Sequence, residues 1–393
     1  MTDKVPKGWK RVKLGEVAEI IGGGTPKTKV PEYWNGNIPW LTPKDLSNFK
    51  GIYISHGERF ITKLGLQESS AKLLPKGSIL LTSRAPVGYL AIAKNEIATN
   101  QGFRSLVVKN GYDNLFVFYL LKNNIEYLKS QATGTTFGEI SGSTLKLLEF
   151  SFPPLPEQKA IASVLSSLDD KIDLLHRQNK TLEKMAETLF RQWFIEEAKE
   201  DWEEVSLGDS ELAKIIKSGI KKFDGIKIYL ATGDVNDTEI QGGEYITYDK
   251  RPSRANMQPI EFSVWFAKKG GVKKLLMFDD YSDIDNIILS TGFTGLKTTE
   301  LSHYYIWCFI LSEEFQEIKD SFVSGTVQPD INNEGVKQIM ILKPDKETLE
   351  RFNKIVKPYF MKIQSNKNQI LTLEKLRDTL LPKLMSGEVR VSI

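Results

Sequence analysis

Apolar residues recur at alternating steps of four and three through residues 153–194. Ile161, Leu165, Leu168, Ile172, Leu175, Asn179, Leu182, Ala186, Leu189 and Trp193 fall on one face. This heptad seam predicts one long helix, interrupted on its apolar face by Asn179. Pro153, Pro154 and Pro156 mark its start, and Glu157 suits a first turn. About forty residues of helix rise roughly 60 Å.

A second copy closes the chain. At an offset of 191, TLEKMAETLF at 181–190 falls on TLEKLRDTLL at 372–381, and Pro153 falls on Pro344. The equivalent seam reads Phe352, Val356, Tyr359, Ile363, Asn366, Ile370, Leu373, Arg377, Leu380 and Leu384, weakened at Arg377 and with a kink expected at Pro358. Each helix therefore has the other as its natural partner. Asn179 and Asn366 either demand each other or water in that seam, fixing register, or sit solvated on helices that are merely amphipathic. Residues 1 to 200 alone carry one seam without its partner. Such a fragment is expected to pair with its own twin, whose surface lacks Pro358 and Arg377.

The duplication extends beyond the helices. Trp9-x-x-Val12-x-Leu14-Gly15 recurs as Trp202-x-x-Val205-x-Leu207-Gly208, and Gly134-Thr135 recurs as Gly325-Thr326. The order is globule, helix, globule, helix, in two pseudo-equivalent halves. In the first globule Ser78 to Leu81, Tyr89 to Ala93 and Phe103 to Val108 read as strands, and Asn114 to Lys129 as a helix. In the second, Ile226 to Leu230, Lys274 to Phe278, Asn286 to Leu289 and Tyr304 to Leu311 read as strands, and Glu313 to Val323 as a helix. Both globules are expected to be mixed α/β domains. The boundaries fall at 1–150, 151–200, 201–342 and 343–393.

A length of 393 residues with 40% hydrophobic content supports two or three domains with their own cores. The single cysteine, Cys308, and three dispersed histidines exclude a disulfide framework and a Cys/His zinc site. No apolar run reaches membrane-spanning length, and residues 1–13 hold no signal core, so a soluble, cytoplasmic protein is expected. The net charge of +3 hides an asymmetry: residues 1–150 hold 20 Lys and Arg against 12 Asp and Glu, whereas 201–342 hold 15 against 23. The first globule invites a polyanion, and the second can meet one only through local clusters.

The Gly22-Gly23-Gly24-Thr25-Pro26 run matches neither nucleotide-binding glycine pattern. It reads instead as a sharp turn presenting Thr25, Lys27, Thr28 and Lys29. Tyr33, Trp34 and Trp40 follow, either as contact residues or as partial core. Ser83, Arg84, Asn100, Gln101 and Arg104 lie at strand ends. Arg, Asn and Gln pair bidentately with guanine or adenine edges, although the same residues cap strands in any protein. Thr135, Thr136, Thr326 and Gln328 in the repeated loops join the candidates. In the second globule Lys217, Lys221, Lys222, Lys250, Arg251 and Arg254 are candidate phosphate contacts, as is the Lys268, Lys269, Lys273, Lys274 cluster. A solvated surface is the alternative for each.

Several stretches together resemble the specificity subunits of type I restriction-modification systems. They are GWKRVKLGEVAEIIGGGTP at 8–26, IPWLTPKDL at 38–46, LLPKGSILLTSRAPVGYLAIAKNEIATNQGFRSL at 73–106, PPLPEQKAIASVLSSLDDKID at 153–173 and LMSGEVRV at 384–391. The resemblance implies two target-recognition domains on double-stranded DNA, each reading half of a split sequence and held apart by an antiparallel pair of helices. It also implies two methylation subunits and a restriction/translocase subunit, which would bind S-adenosylmethionine, ATP and Mg. This chain itself has no [DNS]-P-P-[YFW] loop for a flipped adenine, no Walker A motif and no evident nuclease cluster, so the chemistry belongs to other chains. The competing readings are a coiled-coil scaffold that binds no DNA and an enzyme with an unfamiliar site.

Overall fold

Each globule is closed by the same two-stranded pairing. Lys10–Lys13 runs antiparallel to Glu149–Phe152, and Glu203–Ser206 to Met340–Lys343. Just beyond the pair, Leu14 N donates to Leu148 O (2.8 Å) and Leu207 N to Ile339 O (2.9 Å). The closing strand delivers the chain to Pro153 or Pro344 and then to a long helix, Leu155–Arg191 or Lys346–Ser386. The computed structural model describes residues 5–47, 49–133, 138–323 and 330–391. They form two compact units, 1–177 with 367–393, and 178–366.

In the first unit a five-stranded sheet runs in the order Ala18–Gly22, Arg104–Val108, Ile79–Leu81, Leu90–Ala93, Tyr53–Ile54, beside a three-stranded sheet Arg59–Ile61, Trp34–Leu41, Ala98–Thr99. The second unit repeats the plan with two four-stranded sheets: Ala213–Ile215, Phe293–Thr298, Ser263–Ala267, Leu275–Phe278, and Glu244–Ile246, Lys227–Leu230, Ile287–Ser290, Ala255–Met257. In both units one pair within the second sheet is parallel, Trp40 opposite Ala98 and Ile228 opposite Ile287. A mixed α/β class with an internal repeat is therefore what the chain forms.

Two local expectations are corrected. Tyr304 to Leu311 is a helix, His303–Leu311, because a run apolar on every face carries no strand period and is buried on all sides. The expected helix from Asn114 to Lys129 is two, Asn114–Asn123 and Ile125–Ser130. Asn124 breaks it: its amide donates to Leu120 O (2.7 Å), a local bond that competes with the helical one.

Within the first unit, Ile161 and Leu165 of the central helix share a core with Leu381, Leu384 and Met385 of the terminal helix. Ile172 and Leu175 meet Ile370 and Leu373. Full burial of side chains of this size contributes about 1.5–3 kcal/mol each. Leu168 and Leu380 are half-buried. Arg377 is not left unpaired in the seam: it donates to Asp169 Oδ1 (2.7 Å), while Tyr119 Oη donates to Asp169 Oδ2 (2.7 Å). Burial, then the Asp169 charge, pushes the Tyr119 hydroxyl far above its ordinary range. Near the other end Glu157, 2% exposed, accepts from Arg390 Nη2 (2.8 Å), and Gln158 accepts from Asp113 N (3.0 Å) and donates to Pro153 O (2.8 Å). The Pro-x-Pro-Glu-Gln start of one helix and the Gly-Glu-Val-Arg tail of the other are thus one structural lock.

In the second unit the pairing is also antiparallel. Asn366 meets Asn179, Phe194 meets Phe352 edge-on, and Ala186 shares a core with Val356 and Ile363. Leu182, Leu189 and Trp193 pack partly buried against that core, and Phe190 and Phe194, one position off the predicted seam, are buried. The terminal helix is continuous through Pro358, which is exposed.

Candidate nucleic-acid interface

The glycine-rich loop is held by what lies beneath it. Trp40 Nε1 donates to Gly24 O (2.9 Å) and Trp34 Nε1 to Lys27 O (3.2 Å), and Gly24 N donates to Thr99 O (2.9 Å). A Cβ on Gly23 would lie 2.0 Å from Asn100 O, and one on Gly24 2.4 Å from Ala71 N, so only glycine allows the backbone this close. Lys27, Thr28 and Lys29 are consequently exposed. Trp34 and Trp40 are core, and Tyr33 is half-buried against them. The Arg59 guanidinium stacks on the Trp34 ring, 3.6 Å from its centroid, adding a cation that sequence reading missed. Its signal is the pairing of Arg59 with Trp40 across adjacent strands.

The loop meets the strand-end residues. Thr25 Oγ1 donates to Gln101 Oε1, and Asn100 Oδ1 accepts from Gly102 N (2.8 Å), shaping the turn that exposes Gln101. Arg104 Nη2 lies 2.9 Å from Glu139 Oε1, and Arg84 Nη1 3.6 Å from Glu139 Oε2. Both pairs are partly exposed, so each contributes within about 1 kcal/mol and can be exchanged for another anion. Thr25, Arg84, Gln101 and Arg104 therefore gather on one face around Glu139, which sequence reading did not single out. Ser83 is corrected: it is fully buried, and its hydroxyl donates to Gly102 O (3.1 Å), so it supports the loop from inside. Thr135, Thr136, Thr326 and Gln328 lie outside the described residues.

In the second domain Gly219 N donates to Asn256 O (2.8 Å), bringing the segment that bears exposed Lys217, Lys221 and Lys222 alongside Ala255–Met257. Arg254, also exposed, immediately precedes that strand. Arg251 stacks on Tyr248, 3.8 Å from the ring centroid, and Lys250 is exposed. Among the described residues no three His, Cys, Asp or Glu side chains group to hold a metal ion, and no helix is long and apolar enough to cross a membrane.

The described residues thus form a duplicated α/β domain, each copy followed by a long helix of one repeated design, with an exposed, cation-bearing loop face on the first. The family model described as the type I restriction modification DNA specificity domain matches residues 6–184. The chain is 38% identical to the type I restriction enzyme MjaIX specificity subunit of Methanocaldococcus jannaschii, covering 99% of this chain and 95% of that protein. It is 23% identical to the MjaVIII specificity subunit of the same organism, over 99% and 94%. The crystal structure of the type I restriction-modification S subunit from M. genitalium shares the fold, with a TM-score of 0.56 at 19% identity over 100% and 98% of the two chains. The chain belongs to the type I restriction enzyme specificity subunits.

Proposed function

We propose that each recognition domain reads one half of a bipartite target in double-stranded DNA, and that the loop face around Arg84, Gln101 and Arg104 reads the first half. The observation that carries this is the convergence of those side chains with the Thr25–Lys29 loop on one exposed face of the more basic domain. Arg reads guanine and Gln reads adenine bidentately, while Lys27 and Lys29 suit the phosphates alongside.

The chain is itself non-catalytic in this reading. Two methylation subunits dock on the paired helices and transfer a methyl group from S-adenosylmethionine to adenine, and a restriction/translocase subunit uses ATP and Mg. The assembly works in the cytoplasm. Purified chain given DNA and labelled S-adenosylmethionine is expected to transfer nothing above background, and transfer by the chain alone would overturn the division of labour. Gel shifts of the chain with a methylation subunit on random DNA should weaken steeply with salt, log K falling by about 0.9 per phosphate contacted for each tenfold rise in salt. A scaffold that binds no DNA gives no shift at any salt.

A further inference from the structure

The two recognition domains share a hydrogen-bonded frame in which the residues of one can be matched to those of the other without reference to sequence similarity. Ser83 N donates to Gly102 O (2.7 Å), and Ser83 O accepts from Ile140 N (3.0 Å). In the second domain Lys268 N donates to Gly292 O (2.9 Å), and Lys268 O accepts from Ile331 N (2.9 Å). Gly102 N is held by Asn100 Oδ1 (2.8 Å), as Gly292 N is by Ser290 Oγ (3.1 Å). A Cβ on Gly102 would lie 2.9 Å from Pro43, and one on Gly292 3.0 Å from Thr232. Each of those residues opens a short turn closed by an aspartate: Asp45 Oδ2 accepts from Thr42 N (2.6 Å) and Asp234 Oδ2 from Ala231 N (2.8 Å).

These correspondences make Lys268 the equivalent of Ser83 and Gly292 that of Gly102. The next residues along follow: Lys269 takes the place of Arg84, Thr291 that of Gln101, and Asp330 that of Glu139. We propose that Lys269 and Thr291, flanked by Lys268 and Arg254 around Asp330, form the surface by which the second domain reads its half of the DNA target. The surroundings fit that chemistry. Lys269 and Arg254 are exposed, and a Gly292 Cβ would lie 3.5 Å from Arg254 Nη2, so Arg254 reaches the same turn. Lys268 is half-buried, and that burial lowers its pKa with help from Arg254, while Asp330 opposes the shift. A local cation cluster beside one carboxylate is how a domain with excess acid can still meet a polyanion. The segment bearing Lys217, Lys221 and Lys222 is then left for phosphate.

The assignment rests on the reading of the Arg84 face as the first half-site surface, and one experiment separates the two. The full chain is expressed with its methylation subunit in cells free of other adenine methylation, and the modified motif is read by long-read sequencing of N6-methyladenine. Lys269→Ala and Thr291→Ala should each relax a position in one half of the motif, lowering discrimination there about 5- to 150-fold. Arg84→Ala should alter the other half. If Arg84→Ala relaxes one half while both second-domain variants leave the motif intact, the inference is overturned and the first reading stands. If Arg84→Ala changes neither half, the first reading falls and the inference loses its premise. Equal loss of methylation at every site in Lys269→Ala marks a phosphate contact and overturns base reading. Unchanged thermal melting of the variants shows that the fold is intact.

Discussion

Asn366 Nδ2 donates to Asn179 Oδ1 at 2.8 Å, with the two side chains 0% and 7% exposed. The two asparagines meet each other, and the alternative of solvated positions on amphipathic helices falls. A single replacement, Asn179→Leu or Asn366→Leu, leaves one buried amide unpaired and should cost about 1–3 kcal/mol. The double replacement should be near neutral or stabilising in urea denaturation, but should broaden the species seen by native mass spectrometry, because a polar pair in an apolar seam specifies register. A double variant less stable than either single would contradict this account.

Glu139 neutralises one of the two arginines it touches and repels phosphate. Glu139→Gln should therefore strengthen binding to random DNA several-fold and steepen its salt dependence by about one phosphate equivalent. Affinity for the methylated motif should rise less, so the specificity ratio narrows. The check is a gel shift series on both DNAs from low to high salt. Equal gains on both would reduce Glu139 to a general charge.

His303 is fully buried with Nδ1 2.8 Å from Thr298 Oγ1, and desolvation lowers its pKa from 6.5 to about 3. Between those values the unfolded chain binds a proton that the folded domain refuses. Stability contributed by the neutral ring is complete above pH 6.5 and falls as pH drops towards 3. At pH 5 the loss should reach about 2 kcal/mol relative to pH 7.5. His303→Gln should flatten that part of the pH profile while lowering stability at neutral pH. An unchanged slope in chemical denaturation at pH 5 and 7.5 would assign the acid sensitivity to other groups.

Periodicity and repetition made the two long helices legible, whereas burial of Phe190 and Phe194, one position off the expected seam, was not. The loops were legible as candidates and not as contacts, because whether Ser83 points inward depends on Gly102, nineteen positions along, and whether Arg84 and Arg104 converge depends on Glu139. The misread helix His303–Leu311 had a signal that local patterning lacks. Its pseudo-equivalent in the first half, near an offset of 190, is Asn114–Asn123, a segment that does read as helical. The second recognition surface stayed hidden because the frame that defines it joins backbone groups far apart in sequence, with Asn100 and Asp45 of one domain replaced by Ser290 and Asp234 in the other.

The same polar contacts decide what half of the chain does alone. Asp169, 9% exposed at its side chain, is held by Arg377 and Tyr119, and Asn179 by Asn366. The offset of 191 puts Ala186 where the other helix has Arg377, and Leu175 where it has Asn366. Self-pairing of a fragment of residues 1 to 200 would therefore set Asp169 against Ala186 and Asn179 against Leu175, twice over by symmetry. The fragment lacks Arg377, so Asp169 loses that partner, a cost set against the dimerisation expected from the unpaired seam. Each unmatched group should cost about 1–3 kcal/mol, opposing the apolar seam that favours the dimer. Sedimentation of the fragment should show weak association that Ala186→Arg with Leu175→Asn tightens by at least tenfold, because the pair restores both contacts. A parent fragment that already dimerises as tightly as the substituted one would show that the polar contacts do not select the intact chain's own pairing.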